Sequence, residues 1–189
     1  MLKYTDIFLL IVGLYIVDTS QMIGQIKVKY GANILPNGKF AHGEWDDATN
    51  VILPDKLNIF MKQDSLYLYV GVQFIDTMHT GIDLYIADSK GSRKILHVSA
   101  ALGEMDFADV AWSDWKWGAN DLWVANSVGQ IVEDGKQKVV PLEGFEFQIH
   151  KSLLPGRKWL TFLHLKRPEL IFPIDGTQDN AINWLMIEL

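Results

Sequence analysis

Between residues 66 and 74 the chain reads L-Y-L-Y-V-G-V-Q-F, and every second side chain is apolar. Leu66, Leu68, Val70, Val72 and Phe74 share one parity; Tyr67, Tyr69, Gly71 and Gln73 share the other. A helix turning every 3.6 residues scatters such a pattern around its surface, whereas an extended strand gathers it on one face. The pattern recurs in Ile82, Leu84 and Ile86, in Phe145, Phe147 and Ile149, and in Leu185, Ile187 and Leu189. Further strands are predicted at 26–30, 51–53, 57–62, 95–101, 122–126, 137–140 and 159–165. Turn formers separate these runs: P-N-G at 36–38, Q-D-S at 63–65, A-D-S-K-G at 87–91, E-D-G at 133–135 and L-P-G at 154–156. No window of eleven residues carries a helical stripe, and one short helical turn is expected at 151–154. Many short strands punctuated by turns predict an all-β protein, a two-sheet antiparallel β-sandwich of immunoglobulin-like or jelly-roll type.

The opening residues are of another kind. Lys3 precedes I-F-L-L-I-V-G-L-Y-I-V at 7–17, followed by D-T-S-Q. That run is shorter than the ~20 residues a membrane-spanning helix needs. A basic start, a short apolar middle and small residues near Ser20 predict a secretory signal over 1–20, although Asp6 and Asp18 flank it. The expectation is one exported domain, residues 21–189, secreted, periplasmic or at the cell surface. The chain has no cysteine, so it holds neither disulfides nor thiolate metal sites. A net charge of −6 and the absence of a basic patch argue against nucleic acid and anionic membranes as partners.

The densest chemical signal is A-W-S-D-W-K-W-G-A-N-D-L-W, which sets Trp112, Trp115, Trp117 and Trp123 close together. Each indole offers a flat apolar face and one N–H donor. Interleaved with Asp114, Lys116, Asn120 and Asp121, and followed by Asn126, these rings suit a flat, partly apolar, hydroxyl-rich ligand such as a sugar. If Leu122 and Val124 face inward, alternation turns Trp123 outward. Trp115 and Trp117 share a parity and so one face. Trp45, Trp159 and Trp184 read as core residues, with Trp184 covering one end of the sandwich. The competing reading makes all four clustered rings a loop-covering set.

Catalytic signatures are absent: there is no H-E-x-x-H, G-x-S-x-G, P-loop or G-x-G-x-x-G. The five histidines follow no metal-ligand spacing, and the carboxylates cannot be paired without distances. The chain therefore reads as non-catalytic. Asp46, Asp47, Asp76, Asp83, Asp88 and Glu104 offer hard oxygen ligands without EF-hand spacing. Asp76 and Asp88 each end a strand and are the calcium-ligand candidates.

Three blocks carry a family resemblance: G-K-F-A-H-G-E-W-D-D-A at 38–48, Q-D-S-L-Y-L-Y-V-G-V-Q-F-I-D-T-M-H-T-G-I-D-L-Y-I-A-D at 63–88, and P-E-L-I-F-P-I-D-G-T-Q-D-N-A-I-N-W-L-M-I-E-L at 168–189. In that order they resemble family 9 carbohydrate-binding modules and the wider DOMON-like group. The family's opening Asp-Gly is here His42-Gly43 or Asn37-Gly38. The resemblance implies a two-sheet sandwich, glycan binding between aromatic rings, and structural calcium. Some relatives bind haem instead. For a non-covalent haem His79, His97, His150, Met61, Met78, Met105 and Met186 are the candidate axial ligands. The leading expectation is a secreted, non-catalytic carbohydrate-binding domain for an oligo- or polysaccharide. The alternatives are a cell-surface interaction or structural sandwich that meets other secreted or surface proteins, and the haem domain.

Overall fold

The computed structural model describes residues 25–53, 56–108, 110–118, 120–126, 130–139 and 142–189. The expected signal, residues 1–20, lies outside them. The first strands are β1 (Ile26–Lys27), β2 (Lys29–Tyr30), β3 (Thr49–Leu53), β4 (Leu57–Gln63), β5 (Tyr67–Phe74) and β6 (Gly81–Asp88). There follow β7 (Arg93–Val98), β8 (Leu102–Ala108), β9 (Ala111–Trp112), β10 (Lys116–Trp117), β11 (Trp123–Ala125) and β12 (Gln130–Glu133). The last are β13 (Lys136–Val139), β14 (Gly144–His150), β15 (Lys158–Lys166), β16 (Leu170–Phe172) and β17 (Leu185–Glu188). Helical structure among the described residues is confined to two 3-10 turns, Lys151–Leu153 and Ala181–Asn183.

Two sheets pack as a sandwich. The larger runs β1-β17-β15-β6-β7-β8-β10, with β16 also on β15 and β9 also on β8. The smaller runs β11-β14-β5-β4-β2, with β3 also on β4, and β12 with β13 forms a separate hairpin. The pairing is antiparallel except at two places: β1 beside β17 and β2 beside β4 are parallel. The predicted strand 26–30 is split there. It leaves one sheet at Lys27 and joins the other at Lys29, with Val28 buried at the crossing.

The core lies between the sheets, built from the predicted parity. Leu57, Ile59 and Met61, Leu68, Val70 and Val72, and Phe145, Phe147 and Ile149 come from the smaller sheet. Ile82, Leu84, Ile86, Leu96, Val98, Trp159, Leu163 and Leu165 meet them from the larger. Each such side chain removed from water contributes about 1.5–3 kcal/mol. Leu66, assigned to this face by parity, is 53% exposed instead. Asp64 Oδ1 accepts from the N–H groups of Leu66 and Tyr67, both at 2.7 Å, which holds Leu66 in the turn and starts the strand one residue later.

Each outer face carries a further apolar cluster. Residues 31–48 fold over the smaller sheet and set Ile34, Phe40, Trp45 and Ala48 against Phe60, Tyr67 and Tyr69. Buried Glu146 anchors this cover, accepting from the N–H groups of Asn37 at 2.8 Å and Gly38 at 2.9 Å and from Trp45 Nε1 at 3.1 Å. On the larger sheet Tyr85, Ala87, Ile95, Phe162 and Trp184 form the outer cluster, flanked by Met105, Trp112 and Trp115. Trp184 thus stacks on Phe162 at 5.9 Å across a sheet face rather than closing an end.

Candidate functional site

One register row crosses the larger sheet. His164 of β15 pairs with Asp83 of β6, Asp83 with His97 of β7, His97 with Gly103 of β8, and Gly103 with Trp117 of β10. Residues directly opposite in a sheet share a face, and the neighbours Leu84, Leu96 and Leu163 point into the core. The row therefore projects outward. Gly103 is the position that lets aromatic rings lie on the sheet. A Cβ there would meet the Trp117 ring at 2.8 Å and the Trp115 ring at 3.3 Å.

Trp115 and Trp117 stack with centroids 5.3 Å apart and 25° between planes. The His97 ring meets both edge-on, at 5.3 and 5.8 Å. Trp115 is half-buried against the outer aromatic cluster, while Trp117 is 61% exposed. The pair is a ring face fixed in place before any ligand arrives.

Beside it runs a polar chain. His97 Nδ1 lies 2.6 Å from Asp83 Oδ1, and His97 Nε2 lies 2.9 Å from Ser99 Oγ. Lys166 Nζ lies 2.9 Å from Asp83 Oδ2 and 2.9 Å from His164 Nδ1, and His164 Nε2 lies 2.7 Å from Glu169 Oε1. The ammonium has donors only, which fixes the rest of the polarity. His164 Nδ1 accepts, so its Nε2–H donates to Glu169. Asp83 accepts from Lys166 and from His97 Nδ1–H; in the neutral tautomer this leaves the His97 Nε2 lone pair facing Ser99 Oγ, which also lies 3.5 Å from the Ala101 carbonyl and accepts from its N–H at 3.4 Å. Burial pushes the Asp83 carboxyl up, but hydrogen bonds from His97 and Lys166 outweigh it and hold the group below the usual carboxylate range.

The other residues singled out by the sequence divide between surface and frame. Trp123 is the main correction. It is 2% exposed, while Leu122 and Val124, expected inside, are 38% and 40% exposed. The reason is register: Trp123 pairs with Ile149, which faces the core, so the indole must face it too. Its Nε1 donates to Glu104 at 2.8 Å. Trp112 packs edge-on against Tyr85 and Phe107 at 5.9 and 5.2 Å, and its buried Nε1 has no partner among the described residues. Asn126 is a frame residue as well: its Oδ1 accepts from the N–H of Glu146 at 2.6 Å and its Nδ2 donates to the carbonyl of Gly144 at 3.2 Å. Asn120 caps the turn into β11, accepting from the N–H groups of Leu122 at 2.8 Å and Trp123 at 3.1 Å. Asp114 and Asp121 are exposed, and Lys116 pairs with Asp106 at 2.6 Å.

Asp76 is exposed after β5 in the smaller sheet. Asp88 is buried at the end of β6 in the larger one, where its Oδ1 accepts from the N–H groups of Lys90 at 2.8 Å and Ser92 at 2.9 Å. No group of three His, Asp or Glu side chains placed to hold a metal occurs among the described residues. The haem-ligand candidates are dispersed. Met61 lies in the core between the sheets, His97 faces outward, and His79 and His150 bond to the Pro168 carbonyl and the Ser152 hydroxyl.

Lys166, His164 and Ser99 carry no site reading in the sequence, Asp83 reads there only as one of six hard oxygen ligands, and His97 only as a haem candidate. A signal for two of them existed. Asp83 and His97 have the outward parity of two strands joined by a tight turn, and folding that hairpin pairs them. Lys166 and His164 arrive from a strand more than sixty residues on, which no local pattern announces. The chain matches no protein-family model, no curated protein and no solved structure.

Proposed function

We propose that this chain is a glycan-binding domain whose site is the outer face of the larger sheet at Trp117. The observation that carries the reading is the Trp117 indole, 61% exposed yet held by Trp115 at 5.3 Å and by the edge of His97. A large ring held in one orientation at the surface offers a flat apolar face for a ligand to stack on. A pyranose presents C–H groups on one face and hydroxyls around its rim. The indole takes the C–H face, contributing about 1–3 kcal/mol. The rim then needs fixed polar partners, because an unpaired buried hydroxyl costs about 1–3 kcal/mol. The Lys166 ammonium, on the same outward face of the sheet beside Asp83, is one such partner. Preorganisation of the ring pair lowers the ordering cost of binding.

The resemblance of residues 38–48, 63–88 and 168–189 to family 9 carbohydrate-binding modules favours the same ligand class. The apolar run at 7–17 favours an exported protein. Retention on immobilised polysaccharides, or a glycan array, tests the proposal. Trp117→Ala should weaken retention about ten- to a hundredfold, the equivalent of one stacked ring. A variant that binds every retained glycan as well as the parent would overturn the site.

A further inference from the structure

We infer that Ser99, His97 and Asp83 form a nucleophile, a general base and an orienting carboxylate for acyl transfer from an ester. This adds a reaction to a chain whose sequence carries no catalytic signature. The three roles are defined by contact, not by sequence order. Ser99 Oγ is 2.9 Å from His97 Nε2, and His97 Nδ1 is 2.6 Å from Asp83 Oδ1. Asp83 is 6% exposed and its second oxygen is held by Lys166 at 2.9 Å, so the carboxylate is fixed and ionised. The polarity of the chain leaves one lone pair uncommitted to the fold, on His97 Nε2, and it faces the only hydroxyl in the network. Ser99 itself is half-buried at the turn after β7, with exposed Ala100 and Ala101 beyond it. The N–H following a nucleophilic serine is a recurrent oxyanion donor. Here it belongs to Ala100 and makes no backbone hydrogen bond in the turn. Gly81 lies directly beside Ser99, where a Cβ would come 2.9 Å from the Val98 carbonyl and 3.3 Å from Ser99 Cβ. With glycine there, no side chain shields Ser99 from that direction.

The chemistry balances with water as the only co-reactant. Ser99 Oγ bonds to the ester carbonyl carbon while its proton passes to His97 Nε2. The carbon–oxygen bond to the alcohol breaks, and Nε2 returns the proton to the leaving oxygen. Water then adds to the acylated serine, losing a proton to the same nitrogen. The acid departs and the Oγ–H is restored. Ser99 and His97 are the catalytic residues, and Asp83 is a positioning residue. Lys166 shares the Asp83 charge and so withdraws part of its support for a protonated His97. The substrate class is a small acyl ester of a ring-bearing alcohol. Identifying that alcohol as a sugar rests on the glycan proposal; the ester chemistry does not.

The test uses the full chain with p-nitrophenyl acetate and a fluorophosphonate probe, with polysaccharide retention measured in parallel. The expected result is addition of one probe mass, located on the peptide holding Ser99 and lost in Ser99→Ala. Ester hydrolysis should fall about a hundredfold or more in Ser99→Ala and in His97→Gln, which keeps a donor toward Asp83 but offers no base. Circular dichroism of both variants should match the parent. Asp83→Asn should lower kcat more than tenfold with KM unchanged, whereas equal loss with the folded fraction would assign Asp83 to structure alone and remove it from the centre. Failure of the probe to label, or hydrolysis unchanged in Ser99→Ala, overturns the inference. Labelling by a protein that retains no polysaccharide upholds the ester centre and removes the sugar. Retention without labelling does the reverse.

Discussion

Removing the Glu146 carboxylate should undock the cover of the smaller sheet. Glu146 is fully buried, and three N–H donors converge on it: Asn37 at 2.8 Å, Gly38 at 2.9 Å and Trp45 Nε1 at 3.1 Å. In Glu146→Ala all three lose their acceptor. At about 1–3 kcal/mol for each buried orphan, and with the Asn37 donor only half-buried, the loss comes to about 3–5 kcal/mol. That is a large part of the ~5–15 kcal/mol that holds a typical domain folded. Glu146→Gln separates charge from geometry. Its carbonyl oxygen still accepts from the two backbone groups, but its amide nitrogen opposes the Trp45 donor, so the expected loss is about 1–2 kcal/mol. The pH dependence has a definite sign. Burial raises the Glu146 carboxyl more than its donors lower it, so the folded value lies above the ordinary 4.5. Between 4.5 and that value the folded state binds more protons than the unfolded one. Stability from this group is therefore full below pH 4.5 and falls as pH rises through the window, and both variants should lose that slope. Urea unfolding followed by tryptophan fluorescence across pH 4–8 reads the magnitudes. Hydrogen exchange over residues 31–48 reads the undocking. A Glu146→Ala protein within about 1 kcal/mol of the parent, or with unchanged exchange in that segment, would refute the assignment of Glu146 as the anchor.

The Trp residues should separate by location. Trp123→Ala empties a core position and should lower stability by about 3–5 kcal/mol in chemical denaturation, while Trp117→Ala should change it by less than about 1 kcal/mol. Gly103→Ala pushes a methyl to within 2.8 Å of the exposed Trp117 ring. It should leave the melting temperature nearly unaltered yet reduce polysaccharide retention as Trp117→Ala does, which an affinity gel would check. Lys62, 1% exposed, pairs with Asp47 at 2.9 Å and with the Glu44 carbonyl at 2.5 Å. Burial raises the Asp47 carboxyl, but Lys62 and the Ala32 N–H together outweigh it and hold the group below its ordinary 3.8. That contribution is present above pH 3.8 and lost as pH falls through the folded value. Lys62→Met should reduce this acid-side loss while costing about 1 kcal/mol or less at neutral pH, because Asp47 is partly solvated and keeps the Ala32 N–H. Acid titration of the unfolding midpoint reads it.

The sandwich and most of its core were legible in the sequence. Alternation along β4, β5, β6, β14 and β15 is a property of the extended backbone, which sends successive side chains to opposite faces whatever surrounds them. Turn residues marked most strand ends for the same local reason. The short pieces Ala111–Trp112, Lys116–Trp117 and Leu170–Phe172 escaped notice because two or three residues carry no period. The clustering of Trp115 and Trp117 on one face was legible too. The orientation of Trp123 was not, since parity tells which residues share a face but not which face the partner strand will bury. Ile149, on β14, decided that. The same limit hid the polar chain. Asp83, His97, Lys166 and His164 come from three strands, and their meeting depends on sheet register rather than on spacing along the chain. Local covalent geometry thus determined the strand pattern and the composition of each face. Tertiary pairing alone decided which face became core and which side chains came within 3 Å of one another, because a contact distance between strands is not a property of either strand.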